Sequence, residues 1–393
     1  MKNKKRKKTF LYIFYGLITV AFLFFILSMN DIGEIFKVLG SADVTNVLVA
    51  ISLVLIYLAL YPVTLCLLAR AQKIGVKARD VYAIGMTEHF FNGITPFSTG
   101  GQPFQVYAFS QKKVKLATST GLLIMNFILF MIVTNAYAIV SLFFFDRFAQ
   151  SAEMRIIAPI GFTMNFLVLF FMIALATSKR IKNGIIWILT KLSKIKFLTK
   201  LLQSKIGQIN EYIEQTQAAF KELWKCKGTS LLCLAVRAAT MAFYYAVTFF
   251  ILRALHVNVG FDQIFYIISG SAFAITMVVF LPTPGSSGGI EYAFTKIFAV
   301  FVTGTLDAVS YGGMLLWRLM TYYLPMFISL AFYVAFEIST RISERRSQAK
   351  AAAEGIGEAL IRGESAEAEA KAQIVEEIPE TKTIDETPRE GES

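Results

Sequence analysis

Long uncharged runs alternate along this chain with short charged segments. Phe10–Met29, Asn46–Leu68, Leu116–Phe145, Ile156–Ala176, Thr229–Leu252 and Ala308–Phe336 each carry at most one charged residue. Twenty helical residues rise about 30 Å, the thickness of a bilayer's hydrocarbon core. Each run therefore predicts a membrane-crossing helix. Lys2–Lys8, the cluster Arg70, Lys73, Lys77 and Arg79, and the triplet Lys112, Lys113 and Lys115 flank these runs, and Arg341, Arg345 and Arg346 follow the last one. Positive flanks mark the cytoplasmic side, so both termini are expected inside. The first run is too long for a signal peptide and lacks a small-residue cleavage site, so it reads as an uncleaved anchor.

Two further apolar stretches are interrupted. Asp80–Ser110 breaks at ITPFSTGGQP, and the segment from Phe261 to Thr303 breaks at LPTPGSSGG. Basic clusters on both sides of the first break predict a re-entrant pair of half-helices that enters and leaves on the cytoplasmic face. For the last span to run inward, the second broken segment must return to the outer face. The predicted fold is an all-α polytopic membrane protein, a helical bundle with two re-entrant broken-helix segments of inverted topology. Its parts are a basic N-terminus (1–9), a first membrane half (10–178, re-entrant at 80–110), a linker (179–228), a second half (229–340, re-entrant at 261–303) and an acidic, disordered cytoplasmic tail (341–393).

The linker carries 11 Lys/Arg against 3 Glu over Lys179–Lys227. Ile181, Ile185, Ile188, Leu192 and Ile195 recur at helical spacing, as do Ile206, Ile209, Ile213, Phe220 and Leu223. Amphipathic helices that lie on the bilayer or pack together are expected there.

Composition narrows the function classes. Hydrophobic residues make up 55% of the 393 and charged residues 17%, against about 25% charged in soluble domains. The net charge of +12 is uneven. Residues 347–393 carry 12 acidic and 5 basic side chains, a net −7, which leaves +19 on the rest. Because the excess flanks membrane spans, it points to anionic headgroups rather than nucleic acid. Three cysteines without C-x-x-C spacing and two distant histidines offer neither a disulfide framework nor a zinc site. No metal or other cofactor is expected. No phosphate-binding loop of the G-x-x-x-x-G-K-[ST] type occurs, so any transport is expected to be passive or driven by an ion gradient.

The two breaks are copies of one another. TPFSTGG at 95–101 and TPGSSGG at 283–289 share T-P-x-S-x-G-G, and each is followed by Y-A-F. Inverted repeats whose broken helices meet near the midplane mark transporter substrate sites. Pro96 and Pro284 stop a helix. The pairs Gly100–Gly101 and Gly288–Gly289 permit close backbone approach. Thr95 and Thr283 can cap, and the resumed half-helices present N–H groups that favour an anion such as a phosphate. Ionisable residues at depth add to the candidate substrate site. Arg237 lies about 12 Å and Arg318 about 15 Å into their spans, and Glu291 opens the second resumed half-helix. Arginine suits bidentate phosphate contact, and Glu291 could hold it ready or bind an amine. Glu88 reads equally as a structural partner, and His89 as an interhelical hydrogen-bond donor. Arg253 and His256 read as interfacial anchors.

LPTPGSSGGIEYAF resembles the P-x-P-G-G-x-G-x-x-E signature of the lysylphosphatidylglycerol synthase transmembrane region, or flippase-like, family. FNGITPFSTGGQPFQVYAF resembles that family's N-terminal motif. The resemblance covers roughly residues 10–340. By position it carries over Asn92, Pro96, Gly101, Pro284, Gly288 and Glu291. Where many members have an acidic residue and then an arginine, this chain has Gln102 and Gln105. The resemblance implies translocation of a lipid or glycolipid. Some multidomain members resemble a fusion of this module to a cytosolic lysyltransferase, but the short acidic tail here is expected not to supply that catalysis. No catalytic residue is assigned. The expected function is binding and translocation of a phospholipid, aminoacyl-phospholipid or polyprenyl-type headgroup in a bacterial inner membrane. The alternatives are a membrane component of a lipid-modifying transferase and a secondary transporter of a small anion. Expected partners are membrane lipids with anionic headgroups, with a homo-oligomer or a lipid-modifying enzyme as further possibilities.

Overall fold

The computed structural model describes residues 40–194, 205–302 and 306–362. Every regular element among them is helical, as lipid demands of a chain that must pair its own backbone. Among the described residues, six helical stretches are long and apolar enough to cross a membrane: Val44–Ala71, Leu116–Leu142, Ala152–Thr177, Lys227–Ala254, Phe261–Val278 and Val309–Ser347. The chain is an all-α, multi-pass membrane protein. The expected span 10–29 and the N-terminus 1–9 lie outside the described residues. Phe261–Val278, expected as half of a re-entrant pair, is itself long enough to cross.

In chain order the helices are α1 (Val44–Leu60), α2 (Val63–Ala71), α3 (Ala78–Met86), α4 (Glu88–Ile94), α5 (Gly101–Gln111), α6 (Leu116–Leu142), α7 (Phe145–Phe148) and α8 (Ala152–Thr177). They continue with α9 (Lys179–Leu192), α10 (Ile206–Lys225), α11 (Lys227–Ala254), α12 (Ile264–Val278), α13 (Gly289–Phe301), α14 (Leu306–Arg318) and α15 (Leu324–Arg362). A single π-helical turn, Leu319–Tyr323, joins α14 to α15. Residues up to Tyr333 form one compact unit, and a second begins at Val334. Helix α15 continues to Arg362, into the segment expected to be disordered. Its run of Ala, Glu, Lys and Arg has high helix propensity, which outweighs low hydrophobicity there.

Local chemistry sets the helix ends. The Asp43 carboxylate caps α1, accepting from the Asn46 N–H at 2.8 Å, and this contact holds its pKa below the usual value. The Ser151 hydroxyl caps α8. Three helices end in the same turn. Ile74 donates to Ala69, Val114 to Phe109 and Val257 to Leu252, each backbone bond reaching back five residues. The preceding residues Lys73, Lys113 and His256 are left-handed, with φ of 53°, 62° and 58°. Glycine is usual at that position. A basic side chain there instead faces the negative end of the helix dipole.

The bundle packs through small residues and amide bridges, as membrane interfaces do. Helix α1 lies along α11, and α12 is enclosed by α6, α8, α11 and α13. Gly161 lets α8 meet the α12 backbone, because a Cβ there would sit 2.1 Å from the Met277 carbonyl oxygen. Gly161 is nine residues into α8, so this contact with α12 lies ~14 Å along that helix. Asn165 donates to Asn135 at 3.1 Å, joining α8 to α6. The linker helix α10 packs on α6 at Gly121 and buries Phe220 and Leu223, whereas Trp187 and Ile188 of α9 remain exposed. The Lys182–Glu214 pair, 2.6 Å apart, ties α9 to α10.

Candidate functional site

The two repeated motifs fold into nearly the same backbone. Thr95 is extended (φ −113°, ψ 145°), and so is Thr283 (φ −114°, ψ 151°). A residue before proline is pushed out of the helical region, so each Thr-Pro ends the preceding helix. Pro96–Ser98 and Pro284–Ser286 then form matching 3₁₀ turns. Their second residues are left-handed, Phe97 at φ 57°, ψ 13° and Gly285 at φ 56°, ψ 26°. Ser98 and Ser286 follow at φ 52° and 53°. The two turns pack against each other in the bundle.

Different side chains close the two turns. In the first, the Thr95 hydroxyl donates to Phe91 O at 2.7 Å and accepts from the Gly100 N–H at 2.8 Å. The Asn92 side-chain oxygen accepts from the Gly101 N–H at 2.9 Å and so caps α5. In the second, the Thr283 hydroxyl donates to Ser287 O at 2.8 Å. The Glu291 carboxylate turns back to accept from the Gly288 N–H at 2.6 Å, capping α13. Both helix starts were expected to offer N–H groups to an anion; one N–H at each is taken within the protein, by an amide oxygen from α4 and by a carboxylate on α13 itself.

Tyr322, in the π-helical turn, touches both breaks, and Arg318, at the end of α14, reaches the second. The Tyr322 hydroxyl donates to Gly93 O at 2.8 Å, beside the first break. A Cβ on Gly285, in the second break, would lie 2.2 Å from the Tyr322 ring. The ring therefore excludes a side chain at 285, and the positive φ further favours glycine there. Arg318 is only 3% exposed. Its Nη2 lies 2.6 Å from Glu291 Oε1 and its Nε at 2.7 Å. Its Nη1 donates to Gly285 O at 3.1 Å, and its plane sits 4.7 Å over the Tyr322 ring.

A cavity of about 220 Å³ lies between the two turns and the last helix. Of the residues expected from sequence, Asn92 and Arg318 line it, together with Ser98, Gly285 and Ser286 of the motifs. Thr95, Pro96, Thr283 and Pro284 shape the turns. Gly101 and Gly289 are helix starts without room for a side chain: a Cβ at Gly101 would meet Glu88 Cγ at 2.6 Å, and one at Gly289 would meet Leu281 Cδ1 at 1.8 Å. Gly100 is closed in the same way by Thr95. Gly288 has positive φ, 88°. Gln102 is half-buried on α5, away from the cavity lining. Its neighbour Gln105 is fully buried and donates to Glu88 Oε2 at 3.2 Å, which gives Glu88 a neutral partner.

Arg237 does not join Arg318. It is fully buried, bonded through Nη2 to the Thr64 hydroxyl and, at 2.9 Å, to Asn126 Oδ1. Its guanidinium lies 4.6 Å from the Tyr61 ring, and Tyr61 lines the cavity. Arg237 thus stands one layer behind the wall. The expected pairing of Glu291 with either arginine resolves as Arg318. His89, expected as a donor between helices, lines the cavity between Tyr57 and Tyr61, and its Nε2 has no hydrogen-bond partner. Lys296 is exposed on α13. Sequence reasoning missed the tyrosines Tyr57, Tyr61, Tyr244 and Tyr322 that line the cavity. The available signal was tyrosine inside apolar spans, where a buried hydroxyl needs a partner. Among the described residues no cluster of His, Cys, Asp and Glu suited to a metal is present.

Two broken helices meeting at a small polar cavity inside a helical bundle define a multi-pass membrane protein with a buried polar site. The chain belongs to the lysylphosphatidylglycerol synthase TM region family, which matches residues 12–329. It is also similar to a UPF0104 membrane protein of Archaeoglobus fulgidus, 26% identical over 260 residues, covering 63% of this chain and 73% of that relative. No solved structure matches the chain.

Proposed function

We propose that the protein binds the headgroup of a phospholipid, aminoacyl-phospholipid or polyprenyl-type lipid in the cavity between its two breaks and moves it across a bacterial inner membrane. The carrying observation is that the two repeated breaks pack on one another around a polar cavity with Arg318 in its wall. Irregular backbone at membrane depth is tolerated where it lines a polar cavity, and broken helices of opposite sense form the sites of many transporters. Charge flanks support entry of the first broken segment from the cytoplasm and of the second from outside. The family's name, a lysylphosphatidylglycerol synthase TM region, supports an aminoacyl-phospholipid or its parent.

Size and chemistry favour a headgroup. About 220 Å³ falls below the usual range for drug-sized ligands, so acyl chains would remain in lipid. Arg318 is held by a carboxylate with 26% side-chain exposure. An incoming phosphate can take the place of Glu291 on the guanidinium, while Glu291 keeps its backbone cap or receives a headgroup amine. His89 Nε2 and the Ser98 hydroxyl offer further polar contacts. The same volume suits a free anion, which keeps a secondary anion transporter as the second reading. The test is transbilayer movement of fluorescent phosphatidylglycerol in proteoliposomes beside uptake of inorganic phosphate. Movement of the lipid without phosphate uptake supports the lipid reading, and the reverse result supports the anion transporter.

A further inference from the structure

A second cavity lies between α2, α3 and the last helix. It measures about 860 Å³, is larger than the central one and shares no lining residue with it. Val63, Leu67 and Phe332 make its walls apolar, while Arg70, Lys73 and Arg79 stand around it. Among the described residues Arg70 and Lys73 form no ion pair, and Arg79 reaches only Asp80, at 3.9 Å. The other oxygen of Asp80 lies 3.4 Å from Lys112. An apolar slot with a net positive mouth results.

That combination selects an occupant. A soluble anion gains nothing from apolar walls, and a neutral lipid gains nothing from three cations. Basic pockets between transmembrane helices suit anionic lipid headgroups, and the volume lies within the range that encloses sizeable ligands. The chain's own segment 10–29 is the rival occupant, but it follows the basic stretch Lys2–Lys8, which the same cations would repel.

We propose that this groove is a binding site for an anionic glycerophospholipid, with acyl chain along Val63, Leu67 and Phe332 and phosphate against Arg70, Lys73 and Arg79. The lipid braces the hairpin that carries the first break. Helix α3 is also tied to its neighbours directly: Gly85 packs against Pro62, and the Tyr82 hydroxyl, itself at the groove, donates to Ala59 O at 3.2 Å. Helix α3 then leads through Thr87 into α4 and the turn at Pro96.

Cys66 lines the groove and reports its occupancy. In a Cys226→Ser, Cys233→Ala background, the full chain is placed in nanodiscs of phosphatidylcholine alone or with phosphatidylglycerol, and N-ethylmaleimide labelling of Cys66 is timed. The expected result is labelling several-fold slower with phosphatidylglycerol, and loss of that difference in the Arg70→Gln, Lys73→Gly, Arg79→Gln variant. Lys73→Gly suits the left-handed backbone, so the cation is removed without new strain. Native mass spectrometry should show that the variant retains one phosphatidylglycerol fewer than the parent. Equal labelling rates in the two lipids would overturn the proposal. So would a disulfide between Cys66 and a cysteine introduced within 10–29, because the first span would then fill the groove. Neither readout depends on transport.

Discussion

Arg318 and Glu291 are 27 residues apart in sequence and form a 2.6 Å ion pair that ties the last helix to the second break. The carboxylate also caps α13 through the Gly288 N–H, so one side chain neutralises an arginine and ends a helix break. Removing one partner leaves the other buried without compensation, which typically costs about 3–5 kcal/mol. Arg318→Gln alone should therefore lower thermal stability in detergent more than the double change with Glu291→Gln. Contacting pairs show coupling of about 0.5–3 kcal/mol. Additive losses in the two single variants and the double would mean that the residues do not act as a pair.

The matched turns predict opposite responses to matched substitutions. Gly285→Ala puts a Cβ 2.2 Å from the Tyr322 ring at positive φ. Left-handed strain of about 1–2 kcal/mol and overpacking of about 1–3 kcal/mol should both appear as lost stability. Phe97 occupies the equivalent position, left-handed and 49% exposed. Phe97→Gly should be neutral or stabilising by up to about 1 kcal/mol, because relief of strain opposes the added freedom of the unfolded chain. Thermal unfolding of both variants in detergent checks the pair.

Gly161 predicts a packing limit. Its missing Cβ would meet backbone, the Met277 carbonyl at 2.1 Å, rather than a side chain that could swing away. Gly161→Ala should push α8 off α12 and destabilise by about 1–3 kcal/mol. Gly184, with open space around it, is the control, and Gly184→Ala should be neutral or stabilising in the same unfolding measurement.

The linker contact should respond to acid. Lys182 donates to Glu214 at 2.6 Å and holds that carboxyl below its ordinary value of 4.5. A pKa depressed in the folded state contributes stability above the unfolded pKa and loses it as pH falls through the folded one. Docking of α9 on α10 should therefore be constant near neutrality and loosen only as pH falls below the ordinary carboxyl value of 4.5. A spin label on α9 should gain mobility in that window, and Lys182→Gln should show the higher mobility already at neutral pH.

Much of this architecture was legible because membrane physics is coarse. Run length alone marked five of the six long apolar helices, and the T-P-x-S-x-G-G repeat located both breaks. Thr95 and Thr283 adopt nearly one conformation because proline acts on the preceding residue whatever the surroundings. What stayed hidden depends on tertiary contact. Nothing local shows that Asn92 caps α5 from α4, or that Arg237 turns toward Thr64 and Asn126 rather than the cavity. Nothing local marks Tyr322 until Gly93 and Gly285 are seen beside it. Helix α15 runs on past Phe336 to Arg362, where Ala, Glu, Lys and Arg favour a helix without an apolar run.

Transport by the Glu291→Gln, Arg318→Gln double variant tests the headgroup site most directly. The variant is reconstituted beside the parent, and movement of fluorescent phosphatidylglycerol between leaflets is followed, with thermal stability measured on the same samples. A substrate role for the pair predicts a double variant that inserts and purifies normally, keeps a transition close to the parent's and moves little or no lipid. A stable double variant that moves lipid at the parental rate would contradict the assignment of these residues to the headgroup site and leave the pair as a structural tie.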